Sequence, residues 1–159
     1  MKKDVKEVSP DLSKVRLLAP DNLRGSVEFK DARRRARLYL ESHNWISTIK
    51  KEYLGYRLDG VIYIFLFNFV PAKPNVPSWV WVIVGDVPSA YIDCDYGKTP
   101  YLALDGYIGA MEEWVEAARE GKPVDNVIPV NAPPTPEYAE MLGGRLKFLE
   151  RNILPLLRK

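Results

Sequence analysis

Few arrangements suit a chain that sets an Asp-Gly pair between two strand-forming runs. Here Tyr53–Leu58 and Val61–Phe69 flank Asp59-Gly60. Asp-Gly in that setting is the preferred chemistry of a two-residue type I′ hairpin. The second run, Val61-Ile62-Tyr63-Ile64-Phe65-Leu66-Phe67-Asn68-Phe69, is mostly aromatic at odd positions and mostly aliphatic at even ones. With both faces apolar it reads as a central strand, covered on both sides.

The flanking segments extend this hairpin into a sheet. Pro71, Pro74 and Pro77 remove ladder donors, so Pro71–Ser78 is a loop. Trp79–Val84 alternates as a third strand, with Trp79, Trp81 and Ile83 on one face and Val80, Val82 and Val84 on the other. Gly85–Ser89 turns the chain, and Ala90–Asp93 is a short fourth strand. Connections this short favour an antiparallel meander.

Helices are expected on either side of the strands. Residues 1–30 are polar and broken by Pro10, Pro20 and Gly25. They read as a partly ordered N-terminal arm in which Val15, Leu17 and Leu18 dock as a short strand or turn. Asp31 is a good N-cap for a helix over Ala32–His43, whose apolar stripe is Ala32, Ala36, Tyr39, Leu40 and His43. Thr99-Pro100 starts a second helix, with Leu104, Tyr107, Ile108, Met111, Trp114, Val115 and Ala118 at helical spacing and Gly121 at its end. A Pro-rich linker, Lys122–Pro134, leads to Thr135-Pro136 and a last helix. The inner face of that helix is Tyr138, Leu142, Leu146, Leu149 and Ile153, and Gly143-Gly144 falls inside it as a point of close packing or a kink. The expectation is an α+β fold: a four-stranded antiparallel sheet with one N-terminal and two C-terminal helices, residues 31–159 forming a single domain behind an arm of residues 1–30.

Composition excludes several classes of function. One Cys and one His among 159 residues rule out a disulfide framework, a thiolate zinc cluster and a multi-histidine site, so neither metal nor cofactor is expected. Phosphate-cradling loops, dinucleotide fingerprints and nucleophile elbows are absent from the sequence. The longest apolar run, Val61–Phe67, is far short of a membrane span. No apolar stretch follows the charged Met1–Glu7, so a soluble, cytoplasmic protein is expected.

The candidate functional residues form three groups. Charge is uneven: residues 1–57 carry 14 Lys/Arg against 8 Asp/Glu, and residues 58–159 carry 9 against 13. Arg33, Arg34 and Arg37, on the side of the first helix away from its apolar stripe, form the best basic patch. Aromatics do not interleave with them and no nucleic-acid-binding signature accompanies them, so an acidic protein surface suits them at least as well as phosphate. Second, Phe65, Phe67, Trp79 and Trp81 would line one face of the sheet. Left uncovered, that face would bind a protein partner or a second copy; the arm and first helix could instead cover it. Third, Asp86, Tyr91, Asp93 and Cys94 lie at strand ends, where pockets often form. Asp93 and Asp95 flank Cys94 and would raise its pKa, the opposite of what a nucleophilic thiol needs. His43 reads as a partner for a helix C-terminus.

Two resemblances bear on this reading. The element order loosely resembles that of ubiquitin-conjugating folds, although the His-Pro-Asn motif those carry before their Cys is missing. The run Trp81-Val82-Ile83-Val84-Gly85-Asp86-Val87-Pro88-Ser89-Ala90-Tyr91, with Ile128-Pro129-Val130-Asn131 and Pro134-Thr135-Pro136-Glu137-Tyr138, looks like small bacterial proteins of no assigned activity. That likeness covers about residues 32–154 and implies a compact domain with no transferable catalytic residues. The functional expectation is therefore a non-enzymatic protein-binding or accessory protein, immunity-like or homodimeric. It would work through the aromatic sheet face and the arginine-rich helix. The alternative is a small-molecule binder or enzyme with a pocket near Asp86, Tyr91, Asp93 and Cys94.

Overall fold

The computed structural model describes residues 8–20 and 25–158. Within the arm, residues 1–7 and 21–24 lie outside the described residues. The chain divides into two compact units between Ala103 and Leu104.

The first unit is α+β. After a 3-10 turn (Leu12–Lys14) come β1 (Arg16–Leu17), α1 (Val27–Glu41), β2 (Ile46–Leu58), β3 (Ile62–Pro71), β4 (Trp79–Gly85) and β5 (Val87–Asp93). All neighbours are antiparallel, in the order β1-β2-β3-β4-β5. The sheet thus has five strands rather than four. The extra strand comes from the arm, where Arg16 and Leu17 pair with Leu54 and Tyr53. Two residues are too few to show an alternation in sequence. Hydrogen bonds secure the segment: Leu18 N donates to Glu52 O at 2.9 Å, and Asp11 N to Lys98 O at 2.9 Å.

Helix α1 starts earlier than Asp31. Ser26 is its N-cap, and its Oγ accepts from Phe29 N at 3.0 Å. The added turn carries Phe29 into the core, where burial of an aromatic ring outweighs the cap preference of Asp31. Phe29, Ala32, Ala36 and Leu40 then pack on Tyr63, Phe65, Phe67 and Phe69 of β3 and on Val80, Val82 and Val84 of β4. The register pairs Tyr63 with Val84, Phe65 with Val82 and Phe67 with Val80, so each aromatic ring stands beside a β-branched neighbour on the same face.

That register corrects the expected aromatic face. Trp81 pairs with Leu66 and Trp79 with Asn68, which puts both tryptophans on the side of the sheet opposite Phe65 and Phe67. Phe65, Phe67 and Trp81 are fully buried and Trp79 half-buried. The Trp81 indole N–H donates to Gly97 O at 3.0 Å. An open aromatic sheet surface built on these residues therefore does not exist in this structure; α1 lies over the phenylalanines.

Two local expectations also change. The hairpin loop has three residues, because Leu58 pairs with Ile62 and Val61 N donates to Leu58 O at 2.9 Å. A type I′ turn needs positive φ at both central residues; only Gly60 has it, at +79°. Asp59 keeps an ordinary backbone, and its carboxylate is held by side chains of β2, β3 and the α1 N-cap. Strand β2 begins seven residues before Tyr53, and register shifts fall between Ile46 and Thr48, Ile49 and Lys51, and Leu54 and Tyr56. These bulges place Ile46, Ile49, Glu52 and Leu54 on the α1 side, a spacing that hides the period of two.

The second unit holds most of α2 (Pro100–Glu120), with α3 (Pro136–Phe148), a π-helical segment (Leu149–Ile153) and a 3-10 turn (Leu154–Leu157). The expected apolar stripe of α2 is buried throughout. Gly121 (φ +70°) closes the helix, with Lys122 N donating to Ala117 O at 2.8 Å. Thr135 caps α3, its Oγ1 accepting from Tyr138 N at 3.2 Å. The inner face of α3 is Ala139, Leu142 and Leu146, continued by Leu149 and Ile153, whereas Tyr138 faces outward. Among the described residues no helix is long and apolar enough to cross a membrane.

Candidate functional site

The polar chemistry of the first unit concentrates where the β2–β3 hairpin, the β4–β5 turn and the first turns of α1 meet. Asp59 is the centre of that network. Arg57 donates to it twice, from Nε to Oδ1 at 3.1 Å and from Nη2 to Oδ2 at 2.8 Å. Ser26 Oγ donates to Oδ2 at 2.9 Å and the Tyr63 hydroxyl to Oδ1 at 3.2 Å. The Arg57 guanidinium, first, and then Ser26 hold the Asp59 carboxyl below its ordinary value. Burial pushes the Tyr63 phenol up. Arg57 also lies over the Phe29 ring, 4.5 Å from its centroid, and so links hairpin to helix.

Beside this network is a cleft of about 280 Å³, bordered by Glu28, Asp31, Arg35, Tyr63 and Asp86. Two glycines, Gly60 and Gly85, also line it. Gly85 has φ +147°, and a Cβ there would meet the Val61 carbonyl oxygen. Asp86 N donates to that same oxygen at 3.0 Å. Glu28, Asp31 and Arg35 project from one stripe of α1, at i, i+3 and i+7. The Arg35 guanidinium donates from Nη2 to Gly85 O at 3.3 Å, and Asp31 Oδ1 lies 3.4 Å from Arg34 Nη2. Three carboxylates thus border the cleft with one guanidinium, which is bonded to the main chain. Among the described residues no three His, Cys, Asp or Glu side chains converge as metal ligands.

The three expected groups of site residues are distributed differently. The three arginines do not all share a surface: Arg34 and Arg37 are exposed and Arg33 is not. Arg33 is buried and donates from Nε to Glu52 Oε1 at 3.0 Å and from Nη2 to Ala19 O at 2.7 Å. Arg37 reaches the other Glu52 oxygen at 3.5 Å and stays partly exposed, and Arg34 is the most exposed of the three. Arg33 therefore clamps the arm and β2 to α1 rather than facing a partner. Asp86 is the one strand-end residue at the cleft. Tyr91, Asp93 and Cys94 lie toward the far end of β5, whose seven residues span roughly 20 Å, so the pocket expected around all four is not assembled.

Of those distal residues Tyr91 and Cys94 occupy packing roles, and Asp93 is exposed. Tyr91 packs edge-on to His43 at 5.2 Å and to Trp45 at 5.0 Å. His43 also meets Tyr39 at 4.9 Å, and its Nδ1 lies 3.2 Å from Leu40 O at the end of α1. Burial and the neighbouring Tyr91 push the Tyr39 phenol up to about 12. The Cys94 thiol is buried, and burial, then Asp93 and Asp95, push it up to about 12. A thiol so protonated lacks the reactivity on which a likeness to ubiquitin-conjugating folds would depend.

Arg35, Glu28, Asp59 and Tyr63 were not among the site residues expected from the sequence. The first two would have emerged from the i, i+3, i+7 spacing had α1 been started at Ser26. No protein-family model matches this chain, and no curated protein or solved structure is similar to it.

Proposed function

We propose that this chain is a non-enzymatic binding protein that acts through protein–protein contact, its cleft receiving a basic side chain of the partner. The supporting observation is the balance of charge at the cleft. Three carboxylates, Glu28, Asp31 and Asp86, border it with one guanidinium, Arg35, which is bonded to Gly85 O; Arg34 reaches Asp31 at 3.4 Å, and Asp86 makes a further contact within the chain. A guanidinium or ammonium group fits such a site in both charge and size. The placement of the groups best suited to chemistry near neutral pH agrees with this reading: Cys94 is buried with a raised pKa, and the His43 ring packs among Tyr39, Trp45 and Tyr91.

The test is a titration followed by amide NMR, using a blocked di-arginine peptide, a blocked di-glutamate peptide and free arginine amide. The di-arginine peptide is expected to shift Gly60, Gly85 and Asp86, weakly and with a strong salt dependence, and Asp86→Asn with Asp31→Asn should abolish the effect. Preference for the di-glutamate peptide refutes the reading. Equal binding of free arginine amide and the peptide replaces a protein partner with a small organic cation.

A further inference from the structure

We infer that the outward face of α3 is a self-association surface, on which the α3 helix of a second copy of this chain docks antiparallel. The inference goes beyond the cleft and uses different residues.

Helix α3 carries apolar side chains on two faces. Ala139, Leu142 and Leu146 form the buried one. Nearly opposite, at 100° per residue, lie Met141, Gly144 and Phe148. Met141 is 54% exposed, Phe148 44%, and Tyr138 beside them 44%. A surface helix that stays solvated carries polar residues at such positions. The two glycines of the helix have different surroundings. A Cβ on Gly143 would meet Val115 Cγ1 and Arg119 Nη2 of α2, each at 3.5 Å, in ordinary contact. A Cβ on Gly144 would meet nothing. Glycine is unfavourable inside a helix, and the packing of this copy gives no reason for Gly144. Close approach of another backbone at the middle of the exposed face would give one.

Charge selects the occupant. Glu137, at the N-terminal end of this face, and Glu140, on one flank of it, are followed by Lys147 on the same flank and by Arg151 in the π-helical segment just beyond α3. None of the four has an ion-pair partner among the described residues. An antiparallel pair with its two-fold axis near Gly144 brings Glu137 to the partner's Arg151 and Glu140 to the partner's Lys147, with Met141 against the partner's Phe148. A parallel two-fold pair would carry the charged flanks to opposite sides of the contact, so only the antiparallel pair brings them together. The antiparallel contact is isologous and closes at two copies. One helix face is small beside the interfaces of permanent dimers, so the association is weak and concentration-dependent.

The experiment uses the full chain in a Cys94→Ala background, with sedimentation velocity across a concentration series and disulfide trapping of single cysteines. A reversible dimer is expected. Gly144→Cys should cross-link to itself, Met141→Cys should cross-link preferentially to Phe148→Cys, and Glu137→Cys should cross-link to itself poorly. The charge reversal Glu137→Lys with Glu140→Lys should weaken association at least tenfold, and adding Lys147→Glu with Arg151→Glu should restore it. All these positions except the buried Cys94 are exposed, and circular dichroism checks that the variants fold. A monomer at the highest soluble concentration overturns the inference, as does self-cross-linking at Glu137 as fast as at Gly144, or a dimer indifferent to charge reversal. Each of these failures leaves the cleft reading intact, because that is read at Gly60, Gly85 and Asp86.

Discussion

Replacing Glu52 by alanine should be among the most damaging single changes in the first unit. Glu52 Oε1 accepts from Arg33 Nε at 3.0 Å and its Oε2 lies 3.5 Å from Arg37 Nε. Among the described residues Arg33 and Glu52 are the two buried charged ones, 7% and 8% exposed. In Glu52→Ala, Arg33 keeps only its 2.7 Å bond to Ala19 O, and a buried guanidinium loses its counter-charge. Removing one partner of such a pair costs about 3–5 kcal/mol. The half-exposed Arg37 contact adds at most about 1 kcal/mol. Urea denaturation reads the loss: with a slope of about 2 kcal/mol/M, the midpoint falls by about 2 M. Arg33→Met combined with Glu52→Leu removes both charges while keeping volume, and should recover most of that loss, because the pair itself offsets little more than its own desolvation. Amide exchange at Leu18, whose N–H donates to Glu52 O, should accelerate in the single variant as the arm loosens. The reasoning fails if Glu52→Ala shifts the midpoint by less than about 0.5 M, or if the double variant is no more stable than the single one.

Two further outcomes are expected. Native Cys94 should react slowly with a disulfide reagent at neutral pH and rapidly once unfolded. Because the folded thiol holds its proton to about 12 against 9.0 unfolded, its contribution to stability is complete below pH 9.0 and is lost as pH rises toward 12, a loss that Cys94→Ala should remove from the alkaline limb of the stability curve. Gly85→Ala should destabilise the fold by about 1–3 kcal/mol from backbone strain alone, with more from the clash with the Val61 carbonyl oxygen; thermal melts of the two proteins settle it, and an unchanged Tm would refute the φ assignment at that turn.

What the sequence could reveal depended on whether neighbours along the chain were also neighbours in space. Strands β3 and β4 and helix α2 are regular, so their alternation and 3.6-residue spacing marked both location and buried faces. In β2 the bulges put Ile46, Ile49 and Glu52 on one side at intervals of three, so a search for period two missed its first half. A short strand or turn was expected around Leu17, but its place in the sheet was not, because its pairing partner lies more than 30 residues away and it offers only two residues of pattern. The arginine run shows the same limit for the site. Arg33, Arg34, Arg35 and Arg37 look equivalent in sequence, but each step of 100° along α1 sends a guanidinium to a different destination. Arg33 goes to buried Glu52, Arg34 to Asp31, Arg35 to the Gly85 carbonyl at the cleft, and Arg37 to the exposed side of Glu52. The placement of Glu52 decides which arginine is structural, and that placement follows from bulges that no local pattern of charge records. Asp86 was recognisable because a turn between two strands exposes its side chain wherever the chain goes next. Its partners at the cleft were not, since they come from a helix whose first turn is set by the burial of Phe29.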